Sequence, residues 1–248
     1  QVKAPSTLVG KRAYLKAYDQ ALRQARREIC SGVTALKLTS YATVKEAVTT
    51  RVLPEELVAE LGKAVRPVID RWDPATRTLT LLSAAPLYGI GTTGELAARM
   101  LQLEQQTMAS NQTPPVRPLD ALKLRKPEPV TQISDGPYTG LLLDCRGLHY
   151  QPALLPKFVS EDGTEFWGTL EVNRMKLLDM GLAVISTDYR SALEAQRIGD
   201  TPLIIRPIGV AGLRHGDLVF SADDVKRIQD ANAQTHFLST LSVAMVID

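Results

Sequence analysis

The chain has 248 residues, of which 44% are hydrophobic and 23% charged, and its net charge is only +2. This composition is globular, neither disordered nor fibrous; the length favours two domains over one, and so mild a charge does not by itself imply nucleic acid. Two cysteines, Cys30 and Cys145, are too few for a disulfide framework or a clustered metal site, and read as buried thiols acting as small apolar residues.

The sequence opens at Gln1 without a methionine, which predicts a removed upstream segment such as a signal peptide or lipoprotein anchor. Residues 8 to 30 form one amphipathic helical pattern, with Tyr14, Ala17, Tyr18, Ala21, Leu22, Ala25 and Ile29 at three- and four-residue steps. Ser31 and Gly32 supply its expected stop. Lys11, Arg12, Lys16, Arg23, Arg26 and Arg27 make its polar side positive; a solvated face is the first reading, with nucleic acid or an anionic membrane as the alternatives.

Val33 to Leu38 reads as a strand and Val44 to Thr50 as a short helix. Pro54 with Glu55 and Glu56 starts another helix, which Gly62 ends. Ala64 to Trp72 and Thr76 to Ala85 predict an antiparallel hairpin about Asp73 and Pro74. A helix over 95–106 closes the first domain. The run between Arg77 and Glu95 is the longest without charge, but Pro86, Gly89, Gly91 and Gly94 within it argue against a spanning helix.

Residues 108–137 hold Pro114, Pro115, Pro118, Pro127, Pro129 and Pro137, a density that predicts an extended linker. Beyond it, Thr139 to Asp144 reads as a central strand. Lys157 to Ser160 and Glu165 to Gly168 flank an acidic turn, Glu161-Asp162-Gly163-Thr164. A helix over 171–180, a strand over 182–186, a helix over 191–198, and strands over 203–210 and 217–220 follow. Ser221 caps a helix to about Ala233, with Asp224 in a capping-box position, and 241–247 is the last strand. The expected fold class is α+β, two α/β-type domains with small mixed sheets: 1–107, the linker, and 138–248.

Candidate chemistry is thin. Gly89, Gly91 and Gly94 fit the G-x-G-x-x-G spacing that brings a pyrophosphate to a helix N-terminus. The hairpin before them and the linker after them lack the second parallel strand that the fingerprint needs. Asp144, Cys145 and His149 suggest a thiol nucleophile, which requires an imidazole within reach of the sulfur. A strand alternates Asp144 and Cys145 between its faces, so a packed cysteine and a loop histidine are the plainer reading. His149, His215 and His236 lack ligand spacing, and Asp223 and Asp224 suit the first turn of a helix. No catalytic residue, metal or cofactor follows from the residues.

YTGLLLDCRGLHYQPALLPKFVSEDGTEFWG at 138–168, GDTPLIIRPIGVAG at 199–212, DLVFSADDVKRIQDAN at 217–232 and the terminal VAMVID stand in a telling order. Together they resemble a bacterial cell-envelope family that includes small outer-membrane lipoproteins and the flagellar assembly proteins FlgP and FlgT. The family pattern is a T-G-hydrophobic-D-R-G strand, a P-A-L-x-P segment, a D-G hairpin and a G-D-x-P-L strand. Cys145 stands where alanine is usual. The resemblance implies a non-enzymatic structural or assembly protein, periplasmic or outer-membrane-associated, that forms rings with identical subunits or binds envelope and flagellar proteins without nucleic acid. Arg146, Asp162 and Gly163 are the interaction residues this reading selects. A nucleotide or small-ligand protein using Gly89 to Gly94 is the alternative.

Overall fold

The computed structural model describes residues 1–111, 124–126, 137–169 and 171–248. The chain falls into two compact units, one of Gln1–Leu36 with Val44–Leu96, the other of Lys37–Thr43 with Ala97–Asp248. The fold is α+β throughout, with small sheets in both. Most of the expected linker, including Pro114, Pro115, Pro118, Pro127 and Pro129, lies outside the described residues.

In the first unit, α1 (Gly10–Ala35) lies on a three-stranded antiparallel sheet of order β1-β3-β2, built from β1 (Val2–Lys3), β2 (Arg66–Asp73) and β3 (Thr78–Ala84). Ala13, Ala17 and Ala21 form the buried stripe of α1, and their small side chains share one cluster with Val2, Ala4 and Leu79. Tyr14 stands edge-on to Trp72, 5.9 Å between ring centroids, and its hydroxyl donates to Asp70 at 2.7 Å. The hairpin forms where the pattern places it, with the Asp73 carboxylate accepting the Ala75 amide at 2.9 Å.

Two stop signals are overridden. The first helix runs through Ser31 and Gly32 to Ala35, because Val33 beyond them is buried, and no separate strand follows. The next helices are α2 (Val44–Thr49) and α3 (Glu55–Ala64). Gly62 stays inside α3; a Cβ there would lie 3.1 Å from Cys30 Sγ, so glycine is set by helix contact, not by a turn.

The division between units falls at residue 96, inside α4 (Thr93–Asn111), and not at 107. From Ala97 onward that helix contributes Ala97, Ala98 and Leu101 to the core of the second unit. This unit has two four-stranded sheets. One, β7-β11-β4-β8, is wholly parallel: β4 (Gly140–Asp144), β7 (Val184–Ser186), β8 (Pro202–Ile205) and β11 (Val243–Val246). Its central strands read Leu-Leu-Leu and Val-Ala-Met-Val, the unbroken apolar runs of strands buried on both faces. The other, β6-β5-β10-β9, is mixed and comprises β5 (Phe158–Ser160), β6 (Glu165–Trp167), β9 (Gly209–Ala211) and β10 (Asp217–Phe220). Phe158, Trp167 and Phe220 pack at its heart, with ring centroids 4.3 and 5.1 Å from Phe158.

The expected strand over 203–210 divides between these sheets. Arg206 and Pro207 fall between β8 and β9, and Pro207 has no amide to continue a ladder. The helices of this unit are α5 (Arg174–Met180), α6 (Tyr189–Leu193) and α7 (Ala222–Thr235). Asp188 caps α6 by accepting the Ser191 amide at 2.7 Å, so that helix starts before Ser191, and a separate 3-10 turn holds Gln196–Ile198. Ser221 caps α7 as its spacing predicts, with the Asp224 amide donating to Ser221 Oγ at 3.2 Å and Ser221 Oγ donating to Asp224 at 2.7 Å.

Candidate functional site at the carboxyl edge of the parallel sheet

Four parallel strands bring their carboxyl ends to one edge, the place where open α/β sheets take ligands. β4 ends there in Asp144 and leads into Cys145, Arg146 and Gly147; β7 leads into Asp188 and Tyr189; β8 leads into Arg206; β11 leads into Asp248. Register makes the convergence unavoidable: Val246 is paired with both Asp144 and Ser186.

Asp144 and Arg146 form the centre. Arg146 Nε and Nη2 donate to the two Asp144 oxygens, each at 2.8 Å, and the Arg146 amide donates to Asp144 Oδ1 at 3.2 Å. This fork-to-fork geometry fixes the guanidinium plane. The same guanidinium sits over the Tyr189 ring, 5.1 Å from its centroid. The Gly147 amide donates to both oxygens of Asp248, at 2.8 and 2.9 Å. Arg125 Nη2 donates to the Arg146 carbonyl at 3.1 Å. Gly147 has φ 71°, and a Cβ there would meet Arg125 Nη2 at 2.8 Å; only glycine takes this turn without strain.

The Arg146 hydrogen bond holds the Asp144 carboxyl below the usual carboxylate range, opposed by partial burial, with Arg206 adding a weaker attraction. A depressed folded pKa means that the pair stabilises the fold above the unfolded value of about 3.9 and loses that contribution as the pH falls through the folded value. Arg146→Ala should raise the Asp144 pKa in a carboxyl NMR titration. Because the arginine is half exposed, it should cost only about 0.5–1 kcal/mol at neutral pH, with the gap to wild type closing in acid.

The other sequence candidates do not join this cluster. Cys145 is fully buried, and its thiol pKa is pushed up, chiefly by burial and then by Asp144. His149, His215 and His236 take φ of 52°, 53° and 56°; His236 closes α7, its amide donating to the Asn232 carbonyl at 2.7 Å. Among the described residues no group of three side chains could hold a metal ion. Asp162 and Gly163 form the β5–β6 turn. The Ser160 hydroxyl, and the Thr164 amide at 2.9 Å, donate to Asp162 and keep its carboxyl below the usual range. Arg146 and Asp162 thus belong to different sheets, each closed on its own neighbours.

The glycine loop is also occupied by its own chain. The Gly91 amide donates to Glu95 at 2.5 Å, and the Gly94 amide donates to the Leu87 carbonyl at 2.7 Å. These are the donors a pyrophosphate would need, and Glu95 sets a carboxylate where its charge would sit. The strand before the loop pairs antiparallel on both sides, unlike a dinucleotide fold.

Tyr189, Arg206, Asp248 and Arg125 carry no local motif. Strand order brings the first three beside the D-C-R-G turn, and Arg125 reaches it from the chain before β4.

Residues 140–248 are similar to the second domain of Treponema pallidum Tp0624. The matched span holds the parallel sheet, the mixed sheet and the charged edge apart from Arg125. No curated protein matches the chain.

Proposed function

We propose that this chain is a non-enzymatic structural or assembly protein of the bacterial envelope, working in the periplasm or against the outer membrane, with identical subunits or envelope and flagellar proteins as partners. The observation that carries it is the closed charge pairing at the carboxyl edge of the parallel sheet. A guanidinium locked flat between Asp144 and Tyr189 is a rigid recognition group, at low conformational cost to a partner that covers it. The thiol nearby is buried and the histidines take turn positions, which supports a reading of recognition over reaction at this edge. The envelope address rests on the resemblance of residues 138–248 to the lipoprotein and flagellar-assembly family, and the likeness to Tp0624 covers nearly the same span.

Two measurements test it. Fractionation of the native host should recover the protein with the periplasm or outer membrane. In sedimentation velocity the wild type should run as an oligomer that Arg146→Glu shifts to smaller species. Recovery in the cytosol removes the address; equal mass for both proteins removes the assembly surface. The glycine-loop ligand reading is not favoured, because its amides are spent on Glu95 and Leu87.

A further inference from the structure

We infer that the exposed face of α1 is a docking surface for an anionic lipid bilayer. The helix carries Lys11, Arg12, Lys16, Arg23, Arg26 and Arg27 against Asp19 and Glu28, a net +4, while the entire chain carries +2. The remainder of the molecule is therefore net negative, and the chain's net positive excess is carried by this one helix.

It is also gathered on one side of that helix. Arg12, Lys16, Arg23 and Arg27 follow one another at steps of four, seven and four residues, which keeps them in a single row. Lys11 and Arg26 stand in the adjoining row with Leu15 between them. All six cations are exposed. Arg23 is paired with Asp19 at 2.5 Å; among the described residues no acid pairs with Lys11, Arg12, Lys16, Arg26 or Arg27. The basic face from residue 11 to residue 27 is about 24 Å long at 1.5 Å per residue. The opposite stripe, Ala13, Ala17 and Ala21, is sealed in the core with Leu79, so the rod is preformed and binding a flat surface orders no new helix.

The charge and the apolar groups together select a bilayer. Phosphate headgroups complement five unpaired cations. Leu15 and Val9, 52% and 77% exposed, stand beside the cations, where apolar side chains enter the headgroup region. The aromatic rings of the helix, Tyr14 and Tyr18, face inward toward Trp72 and are not offered to nucleic-acid bases. The surface is separate from the sheet edge in residues and in unit, so it stands or falls independently of the assembly reading.

Cosedimentation of the full chain with vesicles tests it, comparing phosphatidylglycerol mixed into phosphatidylcholine with phosphatidylcholine alone. The protein should pellet only with the anionic vesicles and be released at ~1 M salt, where the screening length falls to about 3 Å. R12Q/K16Q/R27Q should weaken binding on the order of 100-fold, at roughly fivefold per lost cation, with an unchanged melting temperature. Lys226→Glu, exposed on α7, should leave binding as it is. Equal pelleting with neutral vesicles, no pelleting with either, full binding by the triple variant, or tighter binding to an oligonucleotide than to anionic vesicles would each overturn the inference.

Discussion

Glu104→Leu should lower the stability of the second unit by about 3–5 kcal/mol. The Lys157 side chain, immediately before β5, is fully buried, and its ammonium has three partners: Glu104 at 2.5 Å, Thr169 Oγ1 at 2.6 Å and the Gly168 carbonyl at 3.0 Å. Glu104 keeps 19% of its side chain in contact with solvent. The two halves of the pair are therefore unequal. Removing the carboxylate strands a charge that water cannot reach; removing the ammonium leaves a carboxylate that can turn toward solvent. Lys157→Met should accordingly cost less than Glu104→Leu. The double variant E104L/K157M should recover most of the loss, since apolar replacement of both members of a buried pair is often near neutral. Urea unfolding followed by Trp167 fluorescence, in a Trp72→Phe background, measures all three. Additive losses in the double variant would show that the pair is not coupled as its geometry implies.

Gly212→Ala is the second large effect, on the order of 3 kcal/mol, and it reads out at a distance in sequence. Residues 37–43, between α1 and α2, form a tight hairpin closed by a Lys37–Thr43 bridge and belong to the second unit. Their carbonyls accept the amides of Leu154 and Leu155 at 2.9 Å each and of Arg214 at 3.1 Å. Ser40 at the tip is fully buried, and a Cβ on Gly212 would lie 2.2 Å from Ser40 Cβ. Gly212 also has φ 81°, which costs an L-residue about 1–2 kcal/mol before any clash. The clash adds about 1–3 kcal/mol of overpacking, unless the hairpin lifts away. Hydrogen exchange should then show lost protection at Leu154, Leu155 and Arg214. Ser40→Gly in the same chain should restore much of it, because Ser40 Oγ has no hydrogen-bond partner among the described residues to lose. Unchanged protection in Gly212→Ala would mean that the tip is loosely held.

The elements that could be read locally were those with their own complete signal. The hairpin of β2 and β3 has its turn chemistry at Asp73, and α7 has Ser221 and Asp224 at the right spacing. β4 has an apolar run too short for a helix and bounded by glycine. The local signals that failed were those where burial outbid propensity. Serine and glycine together commonly mark a helix end, yet Val33 finds a buried place one residue after Gly32 and the helix continues. Gly62 looked like punctuation and is a contact point for Cys30. The strand expected at 33–38 has β-rich residues but no neighbour to pair with as a strand; its second half became the buried hairpin instead.

The charged edge was half visible. Asp144 and Arg146 could be seen as neighbours in sequence, and a strand ending in D-x-R-G suggests that something happens at its exit. Asp248, Tyr189, Arg206 and Arg125 could not be found, because each is unremarkable where it stands in the chain. Asp162 and Gly163 make a sound turn but remain a separate feature from Arg146.

Composition and pattern by themselves determined that the chain folds as α+β, that a buried strand lies within Thr139 to Asp144, and that α1 is amphipathic with a positive outer side. These follow from periodicity and charge, which are local and additive. Tertiary structure alone decided that β4, β7, β8 and β11 run parallel, so that four distant segments end at one edge. It also decided that Lys157 is buried against Glu104 and that residues 37–43 leave one unit to pack in the other. Each of those depends on pairing between residues far apart in sequence, where the gain comes from burial and register that no single segment contains.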